Sequence, residues 1–102
     1  MTWAQRDAED LLTRLNHWFS PRLLPIVVWG RPQKNSAGSF YPPGRVGGTL
    51  SHLHPLIVVY ISPPALDVIR HEYAHFLCWL RGERQGHGDD FSRTLEEVGA
   101  VA

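Results

Sequence analysis

With 102 residues, 43% of them hydrophobic and 20% charged, the chain has the composition of an ordinary globular protein, enough for one domain with a modest core. Ten basic residues balance ten acidic ones, so no global field draws it toward nucleic acid or an anionic membrane. The single cysteine excludes an internal disulfide and a Cys-rich zinc ribbon within these residues, and the lack of a signal pattern or a bilayer-length apolar run makes the cytoplasm the expected location.

Ala8, Leu11, Leu12, Leu15, Trp18 and Phe19 recur at helical spacing with Arg6, Glu9, Arg14 and Asn16 opposite them, which predicts a helix over Ala8 to Phe19. Ser20-Pro21 ends it, and His17 near its end reads as a surface or cap residue. Ile26 to Trp29, a β-branched run between Pro25 and Gly30, predicts a strand. Ala37 to Tyr41 predicts a second, with Gly38 and Tyr41 as candidate substrate contacts if this is an edge that pairs an extended peptide. Pro42-Pro43-Gly44 and Gly47-Gly48 make a long loop or an irregular hairpin. Leu56 to Ile61 predicts a third strand, buried on both faces because its first four residues are all apolar. Ser62-Pro63-Pro64 closes it and leads into the next helix.

That helix, Ala65 to Arg81, is apolar nearly all round and should lie at the centre of the fold. It carries His71-Glu72-Tyr73-Ala74-His75, an H-E-x-x-H pattern. Four residues is a little over one turn, so His71 and His75 share a face and can bind one metal ion, with Glu72 beside them. Gly82 and Gly86 turn the chain back to His87, a third histidine, and Asp89 or Asp90 can cap a last helix through Phe91, Leu95 and Val98 to Gly99. Ionisable groups on a buried helix are costly unless satisfied, and a metal ion would satisfy them. Two plainer readings stand beside this one: core histidines held by hydrogen bonds, or Glu72 paired with Arg70 or Arg81. The third histidine favours a zinc hydrolase site.

The run HEYAHFLCWLRGERQGHGDDF resembles the metallopeptidase core of the SprT-like family, which includes the Spartan proteases. The family pattern is H-E-x-x-H, an aromatic-rich continuation of the helix, a glycine, and then H-G-x-x-F or H-G-x-x-W. Upstream, the first helix, the strand ending at Trp29, Ser36-Ala37-Gly38 and the strand around Ile57 to Ser62 agree, so the similarity spans roughly Leu11 to Gly99. The resemblance implies an α+β, zincin-like single domain over residues 1–102, with about three short strands on the H-E-x-x-H helix and a helix at either end. It also implies one zinc ion on His71, His75 and His87, with Glu72 as catalytic base. Spartan-type members cleave proteins attached to DNA, which extends the expected substrates to DNA-associated proteins, although a net charge of zero gives DNA binding no support.

The expected activity is therefore zinc-dependent endopeptidase hydrolysis of unfolded protein or peptide, through a zinc-bound water activated by Glu72. Tyr41, His52, His54, Tyr60 and Arg81 are candidates for stabilising the oxyanion, and Arg81 is also a candidate substrate contact. Arg81, Arg84 and Arg93 flank the histidines and could meet phosphate, or could be solvated arginines at a helix end. Cys78 reads as a small core residue. The competing reading is a non-catalytic or latent zinc-binding domain for protein or DNA interaction, its metal closed off by a fourth ligand such as His52, Cys78 or an acid.

Overall fold

A computed structural model of the chain describes residues 3–46, 50–52, 54–61 and 66–101. The first helix, α1, runs Trp3–Phe19 and buries Ala8, Leu11, Leu12 and Leu15. It begins five residues before Ala8, the expected start. That first turn buries nothing apolar: Trp3 is 78% exposed, with the Arg6 guanidinium 5.1 Å from its ring centre. Trp18, expected on the core side, is instead exposed. The helix ends at Ser20, which adopts φ 45°, with its hydroxyl donating to the His17 carbonyl.

Three short strands form a mixed sheet: β1 (Ile26–Trp29), β2 (Gly38–Tyr41) and the later Leu56–Val59, which becomes β5 because a hairpin of β3 (Gly44–Val46) and β4 (Leu50–His52) intervenes. Strand β5 is central, parallel to β1 and antiparallel to β2. The central position explains its apolar run: Ile57, Val58 and Val59 are all buried, on alternating faces. The strand is shorter than expected, ending at Val59 rather than Ile61. The segment between Pro42 and His52, read as loop or irregular hairpin, contains the regular antiparallel pair β3–β4. The Ser62-Pro63-Pro64 turn and Ala65 lie outside the described residues.

Helix α2, Leu66–Leu80, is the centre of the fold and packs on α1, α3, β2 and β5. Ile69, Tyr73, Ala74, Phe76, Leu77 and Cys78 are buried, and Phe40 of β2 meets Phe76 and Trp79 at 6.0 and 6.2 Å between ring centres. The Tyr73 hydroxyl donates to Asn16 Oδ1 at 2.8 Å, tying α2 to the end of α1. Helix α3, Asp89–Gly99, buries Phe91, Thr94 and Val98. Its N-cap is Gly88, not an aspartate, and no side chain caps it. Asp89 and Asp90 sit one step further on, in the first turn, where they meet the positive end of the helix, and Asp90 pairs with Arg93. At the other end, Arg70 Nη1 donates to the carbonyls of Val98 and Val101, at 3.0 and 2.9 Å, and fastens α3 to α2. No described helix is long and apolar enough to cross a membrane.

Candidate metal centre

Helical spacing puts His71 and His75 on one face of α2, and the loop after α2 brings back His87. Two glycines shape that loop. Gly82 at φ 71° and Gly86 at φ 111° take backbone conformations that side-chain-bearing residues rarely adopt, the second just before His87. The three imidazoles converge through Nε2: His75 to His87 at 3.2 Å and His87 to His71 at 3.3 Å. All three ligand atoms lie within 4.8 Å of one another. Tetrahedral zinc with Zn–N bonds of 2.0–2.1 Å separates its nitrogens by about 3.3 Å, so the residues present fit a zinc ion. Protons alone satisfy such a cluster poorly, because a ring nitrogen of a neutral imidazole either donates its N–H or accepts through one lone pair, and His87 Nε2 faces two neighbours.

The electrostatics agree with a ligand role. Burial pushes His75 down to about 4, helped by the neighbouring His71 and His87, and lowers His71 for the same reason with His87 adding to it. Both imidazoles are therefore neutral near pH 7, the form that binds metal. Glu72, on the next position of α2, is only 6% exposed. Burial pushes its carboxyl up to about 7. It pairs with neither of the arginines considered for it: Arg70 is spent on the α3 carbonyls, and Arg81 pairs with Glu97 at 2.8 Å.

These shifts give a pH signature. The folded chain keeps the Glu72 proton between about pH 4.5 and 7, where the unfolded chain has lost it, so this group's contribution to stability fades as pH rises through that window. His75 works in the opposite direction: its contribution is present above the ordinary histidine range and is lost as pH falls toward 4. Glu72→Gln isolates the first effect. Without metal, the variant should match wild type near pH 4 and exceed it near pH 8 by up to about 3 kcal/mol, read by urea unfolding at each pH.

The histidines and Glu72 open on a cleft with two lobes. One, of about 400 Å³, is lined by Gly38 to Tyr41, His71, Glu72, His75 and the loop 85–87. The other, of about 460 Å³, shares Gly38, His71, Glu72 and His87 and extends to Asn35, Ser36, Asp67 and Val68. Strand β2 forms the rim. Gly38 is required there for close approach: a Cβ at that position would stand 2.6 Å from Val68 Cγ1, 3.1 Å from the Val58 carbonyl and 3.2 Å from Glu72 Cγ. Gly38→Ala should therefore cost about 1–3 kcal/mol in urea unfolding, as other overpacked cores do, and displace Glu72.

The remaining candidates are distributed as follows. Tyr41 borders the lobe of about 400 Å³, and its hydroxyl lies 3.3 Å from that of Tyr60. Arg81, Arg93, Glu83 and Glu97 surround a separate small cavity of about 140 Å³, away from the cleft. Cys78 is fully buried in the core. His54 is exposed and lines neither lobe, while the His52 side chain lies outside the described residues. Among the described residues, no fourth histidine, cysteine or acid joins the three histidines. Asp67, Val68, Asn35 and Gln85 were not singled out by the sequence; nothing in their spacing distinguishes them from ordinary loop and helix-start residues.

A family model described as the SprT-like family matches residues 8–102, which is nearly the whole chain. This chain belongs to the SprT-like family. No curated protein and no solved structure matched it. For a SprT-like chain the family match spans both histidine-bearing segments and strand β2, so the whole cleft lies within the matched residues.

Proposed function

We propose that residues 1–102 act as one zincin-like metallopeptidase domain, an endopeptidase for unfolded or extended protein that holds one zinc ion on His71, His75 and His87. The observation that carries this reading is the convergence of three imidazoles, two of their Nε2 separations at zinc spacing, beside a buried glutamate, in a cleft rimmed by an edge strand. A zinc ion there supplies a double positive charge that makes a water more acidic and polarises a peptide carbonyl. Glu72 takes the proton of the attacking water and passes it to the leaving amine. Burial holds its carboxyl near neutrality, where accepting and returning a proton are both feasible, and a cation close by acts to lower it. Of the residues considered for the oxyanion, Tyr41 alone among the described residues borders the cleft, which favours it over Tyr60, His54 and Arg81.

Strand β2 supports the placement of an extended substrate. The Tyr60 N–H donates to the Ala37 carbonyl at 2.9 Å, so by antiparallel alternation Ala37, Ser39 and Tyr41 face β5 while Gly38 and Phe40 turn their backbone groups outward. The Ser36 hydroxyl occupies the Gly38 carbonyl at 2.8 Å, which leaves the Gly38 N–H and both Phe40 groups for a peptide. Gly38→Pro, the obvious variant, would also strike Val68 and Glu72, so the pairing is better tested from the substrate side. A cleaved peptide N-methylated at the residues flanking its scissile bond should lose most of its turnover while an equally long unmethylated one is cut; equal turnover would remove β2 from the binding mode.

The reading itself is tested by incubating the zinc-loaded chain with an unfolded protein, with and without single-stranded DNA, and after chelation. Cleavage that vanishes with the metal supports it, and no cleavage under any condition favours the latent or non-catalytic alternative. The DNA arm asks whether DNA-associated proteins are the substrate class. Arg84 is the flanking arginine without an ion pair among the described residues, since Arg81 holds Glu97 and Arg93 holds Asp90.

A further inference from the structure

Three imidazoles on one metal need their ring planes fixed, and ligating histidines are commonly held by a hydrogen bond from the second ring nitrogen to a carboxylate or carbonyl. Among the described residues, no protein group accepts such a bond from His71, His75 or His87; their hydrogen-bonding contacts are with one another through Nε2. One aromatic ring touches all three instead. The Phe91 ring centre lies 5.0 Å from that of His71, 4.4 Å from His75 and 4.9 Å from His87. It stacks on His75 at 28° and meets the other two edge-on at 62° and 60°. Phe91 is 4% exposed and lines neither lobe of the cleft; it borders a separate cavity of about 320 Å³ at the start of α3, with Arg84, Gln85 and Gly88, so it backs the cluster from the α3 side.

Helix α3 is in turn fastened to α2 at its far end by Arg70, which fixes where the ring stands. Each stacked or edge-to-face aromatic pair prefers a narrow range of geometry. A single ring in contact with three imidazoles therefore restricts all three at once. We infer that Phe91 is a positioning residue of the metal centre: its ring orients His71, His75 and His87 by packing, in place of polar outer partners, and closes the side of the cluster away from the cleft. This rests on the metal reading of the site. An exchangeable ligand then reaches the cluster from the β2 side, where Glu72 stands.

The test compares Phe91→Leu with Phe91→Trp, which keeps a flat ring, and with Val98→Ala, which removes buried volume from the same helix two turns away. Zinc affinity is measured by chelator competition, the cobalt-substituted forms by visible absorption, and metal-free stability by urea unfolding. Phe91→Leu should lose about ten- to a hundredfold in zinc affinity, the range for a lost outer-shell partner, and its cobalt spectrum should shift. Phe91→Trp should stay within about threefold of wild type, and Val98→Ala within about twofold despite comparable destabilisation. Unchanged affinity in Phe91→Leu, or an equal loss in Val98→Ala, would overturn the assignment by reducing Phe91 to a core residue. Wild-type protein that binds neither zinc nor cobalt would overturn the metal reading itself, a separate outcome visible before any variant is made.

Discussion

Glu72→Gln should bind zinc as wild type does and lose about 10²- to 10⁴-fold in peptide turnover, the range for a positioned acid–base group. The carboxylate is not one of the three converging ligands, so removing its charge leaves the imidazole set intact. Its shape is preserved by glutamine, which matters because Gly38 stands close against it. What glutamine cannot do is accept a proton. Burial alone brings Glu72 to about 7, and no arginine among the described residues pairs with it. A Glu72→Gln protein that still cuts unfolded protein at the wild-type rate, measured alongside its zinc content, would remove Glu72 from the chemistry.

His87→Ala should have the largest effect on the metal. It removes one of the three imidazoles proposed to hold the ion, and zinc affinity should fall by more than about a hundredfold, the upper range for losing a mere outer-shell partner. The fold should survive, because His87 is exposed on a loop and the core is built elsewhere. Equilibrium dialysis against a zinc buffer, with circular dichroism as the folding control, reads both quantities. A variant that retains wild-type affinity would show that α2 alone, or a ligand other than His87, holds the ion. Because His75 is pushed down to about 4 and His71 is lowered as well, protons compete weakly, and wild-type zinc binding should persist to lower pH than an ordinary histidine site allows.

The elements with strong periodicity were legible in the sequence, and the grouping of the three histidines came with them. Ile26–Trp29 has the expected bounds, and Leu66–Leu80 ends one residue before the expected Arg81, its expected start at Ala65 lying outside the described residues. H-E-x-x-H needs only helical geometry to put two imidazoles on one face, so once α2 is a helix that half of the cluster follows. His87 needed more: the sequence offers Gly82 and Gly86 as the turn that brings it back, and the structure adds that both glycines take positive φ there. The start of α1 was missed because Trp3 to Asp7 lie on a solvated stretch with no apolar stripe, where burial gives no signal. Spacing alone puts Trp18 on the core face, but it sits next to the last residue of α1 and is exposed.

Glycines and prolines left the segment after Pro42 open between a loop and an irregular hairpin, and the β3–β4 pairing settles it as a hairpin whose partners lie only a few residues apart. Arg81 shows a different limit. Its neighbours in sequence are the site, whereas its partner in space is Glu97, sixteen positions away on α3. Gly38 illustrates the third. The sequence suggested a strand whose backbone pairs a peptide; the structure adds that a side chain there has no room, because Val68 and Glu72 already fill it. Tertiary approach of this kind leaves no mark on spacing.

X-ray absorption at the zinc edge of the zinc-loaded chain reads the ligand set itself. One zinc per chain is expected, with three imidazole nitrogens, no sulfur, and one further light-atom ligand that changes when a small zinc-binding inhibitor is added. Sulfur in the shell, four imidazoles that exclude the inhibitor, or no bound zinc would contradict this ligand set.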